Sequence, residues 1–558
     1  MAQRQDEQQD ITGLSRVCSR KCYLTCITGC LTCQWKVLDE RRSERAICCC
    51  SWTERLFYLL LAFAWIVSLI VLYMWIESSN EYFGFDWVVF LGTGFWFYWS
   101  IFFLSLYGIM FAYTSLLLIF GLLFIWEGFE LFLHWSNKVL LCLLVAFYTF
   151  LFWALFTYWE DRWLTVGLSL QVFCPFIQLT SIPLMTLLSW LLFTYLFYLE
   201  GEVKARRAER LREQRKLDKK CDALVKLRAI QISVGVPFVI ILLCLYFVPI
   251  GHYSPCVKDK NTLGPKPLLI AHRGAPMLGP ENTQMSFEKA VEHESFGLET
   301  DIYLSKDGIP YCMHDSTLRR TTNIRDIQPN ATNQHSSNFT WEFLSTLNAG
   351  QWFINHPPFF NMELPKGADL EKARSQKIPL LADFLKIAKS KNRHVIFDLN
   401  RPPKYHPYRY LFVHKTVEVI LASKIEQHLV YWLQDFNRAY VKLVAPGFHQ
   451  MGRLRTIETL SRENINIINV DFKSLFANGL REYKNNNITI NIYVVNTLWL
   501  FSLAWCSKIN SVTTDMVHEL RKINYPSYFM TTNSYMFWWF LLDFLSVIFI
   551  GAIFYFHW

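Results

Sequence analysis

Apolar residues are unevenly distributed along the 558-residue chain. Most of the excess lies in 56–251 and 536–558, whereas 252–535 has the composition of an ordinary globular domain. One bilayer crossing needs about 20 consecutive, mainly apolar residues. Six runs reach this length, and we interpret them as transmembrane helices: 56–76, part of about 97–125, 139–159, part of about 167–198, 229–250 and 536–557.

Lysine and arginine residues near the membrane indicate its orientation, because they accumulate on the cytoplasmic side. The N-terminal segment 1–55 carries nine of them and the loop 200–228 carries eleven, whereas 77–87 carries none. Four helices between two basic segments place both segments in the cytoplasm. The fifth helix then exports 252–535, and the sixth returns the chain to a cytoplasmic C-terminus. We therefore predict a multi-pass membrane protein with an extracellular or lumenal domain.

Two further patterns are typical of an exported segment. The N-x-S/T glycosylation pattern, which is usable only in the lumen or outside the cell, occurs three times there, at Asn330, Asn338 and Asn487. The segment holds three cysteines. In that compartment Cys256 and Cys506 can form a disulfide, and Cys312, in an apolar strand, is expected to be a buried thiol.

The parts predicted to be cytoplasmic or within the membrane carry three other features. Eight of the fifteen cysteines precede the first helix, at positions 18, 22, 26, 30, 33, 48, 49 and 50. Cytosolic cysteines beside a membrane helix indicate reversible palmitoylation, and a zinc site is the alternative. The basic loop 200–228 is interpreted as a solvated helix near anionic lipid. Asp543, within the sixth run, is a candidate functional residue or a contact between helices.

Short strand-like runs alternate with helix-like stretches from about 265 to 520. The strand-like runs are PLLIAHRG, GLETDIYL, IPYCMHD, HVIFDLN, HLVYWL, INIINVDF, ITINIYVVN and INSVTTD. Eight strands suit a (β/α)₈ barrel, which is the fold that we predict for the exported domain, and an open doubly wound sheet is the alternative. One departure is the short KDG turn between GLETDIYL and IPYCMHD, which leaves no room for a helix. A polar stretch, 323–377, then reads as an insertion at the rim.

Chemically active side chains gather at the ends of these strands, where barrel enzymes build their sites. They are His272, Arg273, Glu299, Asp301, His314, Asp315 and Asp398. Each one alone has an ordinary structural interpretation, such as a hydrogen-bonded histidine or a solvated carboxylate. Their occurrence together, at the ends of successive strands, favours a functional site.

Glu299 and Asp301 are two residues apart on one strand, so both carboxylates face the same side. Two inward carboxylates repel each other and are costly to bury. A divalent cation would relieve both effects, and oxygen ligands favour Ca²⁺ or Mg²⁺ over Zn²⁺. The sequence thus predicts a divalent-metal site at this strand end.

Three motifs carry a resemblance to a known family. The first is HRG…PENT, at His272 to Gly274 and Pro280 to Thr283; the second is ExD…DG, from Glu299 to Gly308; the third is HD..L.RTT, from His314 to Thr322. Late elements YVVN and SVTTD contain Tyr493, Asn496 and Asp515. Together these motifs resemble the signature of glycerophosphodiester phosphodiesterases, and the membrane plan is similar to the six-transmembrane branch of that family.

The resemblance implies a barrel enzyme that hydrolyses a phosphodiester beside a free hydroxyl. It implies that Glu299, Asp301 and Asp398 bind the metal, although many members carry Glu at the third position. Soluble members of the family also tend to carry Lys two residues later, where this chain has Asn400 with Arg401 beside it. His272 and His314 would be the acid and the base, in an order that the sequence leaves open. Arg273 would clamp the phosphate.

The remaining motif residues, Glu281 and Asn282, are expected beside the substrate phosphate. The implied substrates are small glycerophosphodiesters, such as glycerophosphoinositol and glycerophosphocholine, or glycosylphosphatidylinositol anchors in the membrane. One alternative is a catalytically weak barrel that binds a ligand and signals through the membrane. A transporter is a second alternative, but paired broken helices are missing from the pattern. Nothing in the sequence resembles nucleic-acid binding.

Overall fold

The computed structural model describes most of the chain. The described ranges are 52–82, 95–126, 132–158, 160–213, 223–251, 254–359, 362–477 and 479–557, with single residues at 25, 28 and 29. Nearly all of the cysteine-rich start and part of the basic loop, 214–222, therefore lie outside the described residues. The predictions of palmitoylation and of lipid contact by that loop fall largely on these segments.

Long apolar helices occupy the regions that the hydrophobic pattern assigns to the membrane. The first five helices are α1 (Trp52–Tyr82), α2 (Phe95–Trp126), α3 (Trp135–Tyr158), α4 (Glu160–Glu213) and α5 (Ala223–Gly251), and the C-terminal helix covers Thr532–His557. Among the described residues, five helices are long and apolar enough to cross a bilayer. The apolar part of α5, Val234–Phe247, is shorter. The sixth crossing therefore stays a prediction.

Polar contacts join the C-terminal helix to α4 and α5. Thr186 Oγ1 and Ser546 Oγ share a hydrogen bond of 2.6 Å, and Tyr246 Oη donates to the same Ser546 Oγ at 2.6 Å. Tyr535 Oη donates to Gln178 Oε1 at 2.9 Å. Hydrogen bonds between apolar helices fix their mutual register, so these three helices form one packed unit beneath the barrel.

Among the residues that the structure describes, nine strands follow α5. They are β1 (Leu268–Ala271), β2 (Gly297–Leu304), β3 (Pro310–Cys312), β4 (His394–Leu399), β5 (Val430–Trp432), β6 (His449–Gly452), β7 (Ile467–Asp471), β8 (Thr489–Tyr493) and β9 (Ser511–Thr514). All except β3 are parallel neighbours in a closed ring, in which β1 pairs with both β2 and β9. The predicted barrel is confirmed, and the open doubly wound sheet is excluded.

The run IPYCMHD does not supply a barrel strand, and this part of the strand assignment was wrong. Its strand β3 pairs antiparallel with β2, with Cys312 opposite Ile302. A parallel pair needs a crossover of about a dozen residues or more, and the KDG turn is far too short for one. The missing barrel strand is β6, whose sequence HQMG has one strongly apolar side chain, Met451. Such a strand carries almost no hydrophobic periodicity.

In the described part of the chain, thirteen α-helices accompany the strands, and the C-terminal apolar helix is then α19. The thirteen are α6 (Gln284–Glu292), α7 (Ile324–Ile327), α8 (Trp341–Leu344), α9 (Gln351–Asn355), α10 (Ala368–Arg374), α11 (Leu381–Ser390), α12 (Phe412–Ala422), α13 (Arg438–Val444), α14 (Ile457–Arg462), α15 (Phe472–Ala477), α16 (Leu480–Asn485), α17 (Leu498–Cys506) and α18 (Val517–Leu520). The short helices α7 to α10 form the insertion expected at 323–377. The stretch between β7 and β8 forms two short helices, α15 and α16.

The barrel is stabilised by apolar layers on both sides of its wall. Inside, Ile270, Leu433 and Met451 belong to one buried cluster. Outside, Phe287 packs edge-on against Phe384 at 4.6 Å between ring centroids. Each buried aromatic or aliphatic side chain contributes roughly 1.5–3 kcal/mol of transfer free energy. This rigid wall holds the strand ends, and with them the site, in place.

The barrel rests on the N-terminal part of α4. The apolar part of this helix, Leu164–Ala205, has 42 residues, which is about 60 Å of helix and roughly twice one crossing. Phe173 of α4 contacts the barrel segment at Tyr528, with 5.0 Å between ring centroids, and Trp499 at 6.4 Å. The excess length of α4 therefore serves as a platform for the barrel.

Two connecting segments join the barrel to α5 and α19, and they lie side by side. Met530 N donates to Cys256 O at 3.0 Å, and Lys258 N donates to Met530 O at 3.2 Å. A disulfide links Cys256 to Cys506 at the end of α17, which is the pair that the sequence indicated. Cys312 is a buried free thiol, as expected.

Candidate active site

The predicted residues of the first two motifs meet at the C-terminal ends of β1 and β2. His272 and Arg273 follow β1 directly, and Glu299 and Asp301 lie on β2. The register places Asp301 opposite Asp398 of β4. Paired residues on neighbouring strands point to the same side of a sheet. The three carboxylates predicted to bind metal are therefore neighbours at the barrel mouth.

A tight turn after β1 presents this edge of the site. Arg273 has a φ of 51° and Gly274 a φ of 85°. A Cβ atom on Gly274 would lie 2.7 Å from the backbone carbon of Ser286, so only glycine fits at this position. Ser286 Oγ donates to Arg273 O at 2.6 Å, and Arg273 N donates to Glu299 Oε2 at 2.8 Å. Helix α6 and strand β2 thus fix the turn from both sides.

His272 is held by a carboxylate from the last barrel strand. Its Nδ1 lies 2.7 Å from Asp515 Oδ1, and Asn496 Nδ2 donates to Asp515 Oδ2 at 2.6 Å. Burial lowers the pKa of His272, but the charge and hydrogen bond of Asp515 outweigh it and the pKa rises to about 9. With Nδ1 engaged, Nε2 is the nitrogen left to exchange a proton with a substrate.

His314 has the same arrangement, although its position differs from the expected one. It follows β3, which runs back along β2 until Met313 N donates to Asp301 O at 2.9 Å. The hairpin therefore returns His314 to the level of Asp301. His314 Nδ1 lies 2.8 Å from Asp315 Oδ1, so Nε2 is again the nitrogen available for proton transfer.

Arg320 anchors this second histidine pair. Its Nε donates to Asp315 Oδ2 at 2.7 Å, and its two Nη atoms donate to Glu281 at 2.8 and 2.6 Å. Burial raises the pKa of Asp315, but the Arg320 charge and the His314 and Arg320 hydrogen bonds bring it far below its usual range. Asp315 is therefore a fixed anion that orients His314.

The carboxylates on β2 and β4 are crowded. Burial and then the charge of Asp301 raise the pKa of Glu299 to about 8. Partial desolvation at the barrel mouth, and then the same Asp301 charge, raise the pKa of Asp398. Mutual repulsion of this kind and an all-oxygen donor set suit a hard divalent cation.

The same carboxylates are not yet gathered around one point. In the part of the chain that the structure describes, no three His, Cys, Asp or Glu side chains form a cluster that could already hold a metal. The Asp398 side chain is 49% exposed and lies 3.8 Å from Arg453 Nη2. The residue types therefore fit the cation, and Asp398 would have to move inward to complete its ligand set.

The three residues predicted to contact phosphate are buried among these groups. Arg273 Nε lies 3.4 Å from Asp301 Oδ2, and Arg273 Nη1 lies 3.7 Å from Glu281 Oε1. Asn282 Nδ2 donates to Asp301 Oδ2 at 3.0 Å. Both oxygens of Glu281 already accept hydrogen bonds from Arg320. The structure thus gives Glu281 and Asn282 a supporting position, and their contact with substrate stays a prediction.

Sequence reasoning assigned no role to three residues that the fold brings to the site. Asp515 and Arg320 lie in recognised motifs. That Asp515 contacts His272, and that Arg320 holds the Asp315 carboxylate beside His314, could be identified only from the fold. Arg453 was missed because its strand, β6, was missed. The only available signal was that Arg453 directly follows the four residues HQMG, which carry almost no hydrophobic pattern.

The predicted glycosylation sites are accessible. The side chains of all three asparagines are exposed: Asn330, Asn338 and Asn487. Asn487 precedes β8, at the end of the barrel opposite the site. Sugar attachment at these positions stays a prediction.

Comparison with known proteins gives one family match. Residues 272–452 match the model of the glycerophosphoryl diester phosphodiesterase family. The matched region begins at His272 and contains both histidines, all three carboxylates of the predicted metal site and β6.

Longer similarities extend over the membrane helices. The chain is 52% identical over 540 residues to glycerophosphodiester phosphodiesterase domain-containing protein 4 of Mus musculus, covering 97% of this chain and 85% of that protein. It is 33% identical over 525 residues to the human glycerophosphoinositol inositolphosphodiesterase, covering 94% and 91%. A phosphodiesterase structure from Oleispira antarctica has 20% identity and a TM-score of 0.38, covering 46% of this chain and 96% of that one.

Proposed function

Because the chain belongs to the glycerophosphoryl diester phosphodiesterase family, we propose that it is a membrane-tethered enzyme that cleaves glycerophosphodiesters with His272 and His314 as its acid and base. The chain is a phosphodiesterase by its family. The substrate, the residues in each role and the side of the membrane are the proposed parts.

One observation carries the proposal, namely that both histidines are held in the same way at one mouth. Each has Nδ1 within hydrogen-bond distance of an aspartate, at 2.7 Å for His272 and 2.8 Å for His314. Each aspartate is itself held by a further side chain, Asn496 or Arg320. Two oriented imidazoles beside a carboxylate cluster suit general acid–base catalysis of an in-line displacement at the phosphorus of a phosphodiester.

The raised pKa of His272 supports one order of the two roles in the first step. A histidine with a pKa of about 9 is protonated at neutral pH, so His272 Nε2 can donate a proton to the departing alcohol oxygen. His314 Nε2 then accepts the proton of the neighbouring substrate hydroxyl, whose oxygen attacks the phosphorus. In the second step the roles reverse, and water opens the cyclic phosphate. A plain dialkyl phosphate lacks the neighbouring hydroxyl and should not react.

Glu299, Asp301 and Asp398 would hold the divalent cation, Ca²⁺ or Mg²⁺. When bound, the cation would stabilise charge on the phosphoryl oxygens. Arg273 lies beside Asp301 and would add positive charge at the same point. Asn282 keeps Asp301 oriented through its 3.0 Å hydrogen bond.

The proposed substrates share a hydroxyl next to the phosphate. Glycerophosphoinositol is the first choice, because a relative with 33% identity is named a glycerophosphoinositol inositolphosphodiesterase. Glycerophosphocholine fits the family in general. Glycosylphosphatidylinositol anchors are a further candidate, since the barrel rests directly on an apolar helix and is tethered at both ends.

The proposed topology has six crossings, cytoplasmic termini and the barrel outside or in the lumen. The five long apolar helices, the exposed glycosylation patterns and the Cys256–Cys506 disulfide support it. Glycosidase digestion of the chain expressed in mammalian cells tests the side of the membrane. A mobility shift that disappears in a variant with all three asparagines changed to glutamine supports export, and an unshifted wild-type chain contradicts it.

Hydrolysis by the full-length protein in detergent tests the activity. We expect turnover of glycerophosphoinositol with Ca²⁺ or Mg²⁺, and its loss both with chelator and in His272→Ala. If folded protein binds these substrates without hydrolysing them under any of the ionic conditions, the binding-module alternative is favoured.

A further inference from the structure

The buried arginines of the site already have carboxylate partners. Arg273 is 4% exposed and lies beside Asp301 and Glu281. Arg320 is bound to Glu281 and Asp315 through four hydrogen bonds. Their charges are therefore balanced within the protein. Besides the proposed divalent cation, a phosphodiester anion entering the mouth would therefore gain from a side-chain cation that can reach it from the open side.

Arg453 occupies such a position. It follows β6, which lies four strands away from β1 in either direction around the closed ring. It therefore stands on the wall opposite His272 and Arg273. Its side chain is 63% exposed, so its guanidinium is in contact with solvent at the mouth.

The contact between Arg453 and Asp398 is a weak one. The two charged groups are 3.8 Å apart, and both side chains are about half exposed or more. Exposed ion pairs of this geometry contribute between zero and about 1 kcal/mol. Arg453 can therefore exchange Asp398 for a stronger partner at small cost. A phosphate oxygen is such a partner, because a guanidinium binds it through charge-assisted, paired hydrogen bonds.

We propose that Arg453 binds a non-bridging oxygen of the substrate phosphodiester from the wall opposite His272. This inference rests on the proposed function. Arg453 and the buried Arg273 would approach the phosphate from two sides. When Arg453 turns from Asp398 to the phosphate, Asp398 would be released to turn toward Asp301. Substrate binding and completion of the carboxylate cluster would then occur together.

Kinetics of the full-length protein on glycerophosphoinositol test the inference. Removal of one charge-assisted contact predicts that Arg453→Gln raises KM about 10- to 100-fold with a smaller change in kcat. Arg453→Lys should restore part of the affinity, since it keeps the charge and loses the paired geometry. Arg401→Gln is the matched control, because Arg401 is a rim arginine whose guanidinium lies over Phe436 at 4.6 Å. It should leave KM unchanged.

A binding measurement separates this role from a purely structural one. Inorganic phosphate should raise the thermal midpoint of chelator-treated wild-type protein, and it should do so much less for Arg453→Gln. If Arg453 only neutralises Asp398, then Arg453→Gln keeps the wild-type KM and needs less divalent cation for half-maximal rate, which would overturn the inference. Absence of turnover by wild-type protein would instead count against the proposed function itself.

Discussion

At the scale of single residues, the site consists of two histidines whose neighbours decide what each can do. Asp515 accepts from His272, and Asp315 accepts from His314, so both rings present Nε2 to the mouth. The carboxylates differ in how they are held. Asn496 fixes Asp515 through a neutral amide, whereas Arg320 fixes Asp315 through a charged, buried guanidinium.

The Asp515 contact has a measurable consequence for pH dependence. Protonated His272 is the proposed acid, so the rate should fall as pH rises through its pKa of about 9. In Asp515→Asn the lowering of the His272 pKa by burial is no longer outweighed by a carboxylate charge, so the pKa falls. The alkaline limb of the pH profile should therefore move to lower pH. We also expect kcat to fall by roughly 100-fold, the lower end of the range for one acid–base contribution. The pH profiles of kcat and of kcat/KM check both effects, and an unmoved alkaline limb would contradict the assignment.

Arg320 should matter for folding as much as for catalysis. Arg320→Ala leaves Glu281 and Asp315 buried without their cation, which costs about 3–5 kcal/mol of unfolding free energy. Arg374, a surface arginine that is 46% exposed, provides the control, and Arg374→Ala should change stability by less than about 0.5 kcal/mol. Thermal unfolding in detergent compares the two variants. Equal midpoints would show that Arg320 has no such structural role.

The sequence identified the side chains at the site better than their partners. His272, His314, Glu299 and Asp301 each lie in a local motif, so their positions at the strand ends could be predicted. The contact between His272 and Asp515 joins residues that are 243 positions apart. Such a pair depends on barrel closure, which places β9 beside β1, and no local pattern contains it.

At the scale of elements, turns and short strands determine which side chains reach the mouth of the barrel. The β2–β3 hairpin returns His314 to the mouth, and the β1–α6 turn brings Arg273 against Glu299. The sequence pattern predicted seven of the eight barrel strands and the alternation of strands with helices. It failed for β6, because the four residues HQMG contain too few apolar positions, and for β3, because an apolar run does not reveal strand direction.

The β1–α6 turn gives a prediction for glycine. Gly274 and Gly479 share a φ of 85°, but a Cβ at Gly274 meets the Ser286 backbone and one at Gly479 meets open space. Both substitutions to alanine carry the backbone strain of about 1 kcal/mol, and Gly274→Ala adds a steric clash. We expect Gly274→Ala to lower the thermal midpoint more and to abolish activity, whereas Gly479→Ala retains activity. Comparable losses in both variants would contradict this explanation.

At the scale of the whole molecule, the barrel is joined to long apolar helices, which we propose to span the membrane, through two adjacent connections. The N-terminal part of α4 supports the barrel, while Cys256 and Met530 bring the two connections together. Composition alone separated the membrane region from the barrel. The contact of the barrel with α4 could not be predicted in the same way. It depends on Phe173 meeting the rings of Trp499 and Tyr528, which are more than 300 residues away in the sequence.

The disulfide should strengthen this attachment. It closes a loop of 250 residues, and bonds of this kind typically contribute 2–4 kcal/mol, roughly, by restricting the unfolded chain. Replacing both Cys256 and Cys506 with serine should lower the thermal midpoint and leave kcat for glycerophosphoinositol nearly unchanged, because the pair lies away from the histidines. A large loss of kcat with an unchanged midpoint would show that the disulfide acts on the site instead.

The central claim is that His272 donates the proton to the departing alcohol and His314 removes the proton from the attacking hydroxyl. The most direct measurement compares the rate of the first step, release of the alcohol in a single turnover, for His272→Ala and His314→Ala on glycerophosphoinositol and on an inositol phosphodiester with a nitrophenyl leaving group. A nitrophenolate departs without protonation, so the loss in His272→Ala, about 10²- to 10⁴-fold on the natural substrate, should largely disappear. The loss in His314→Ala should remain on both substrates. Equal losses of His272→Ala on the two substrates would contradict the account.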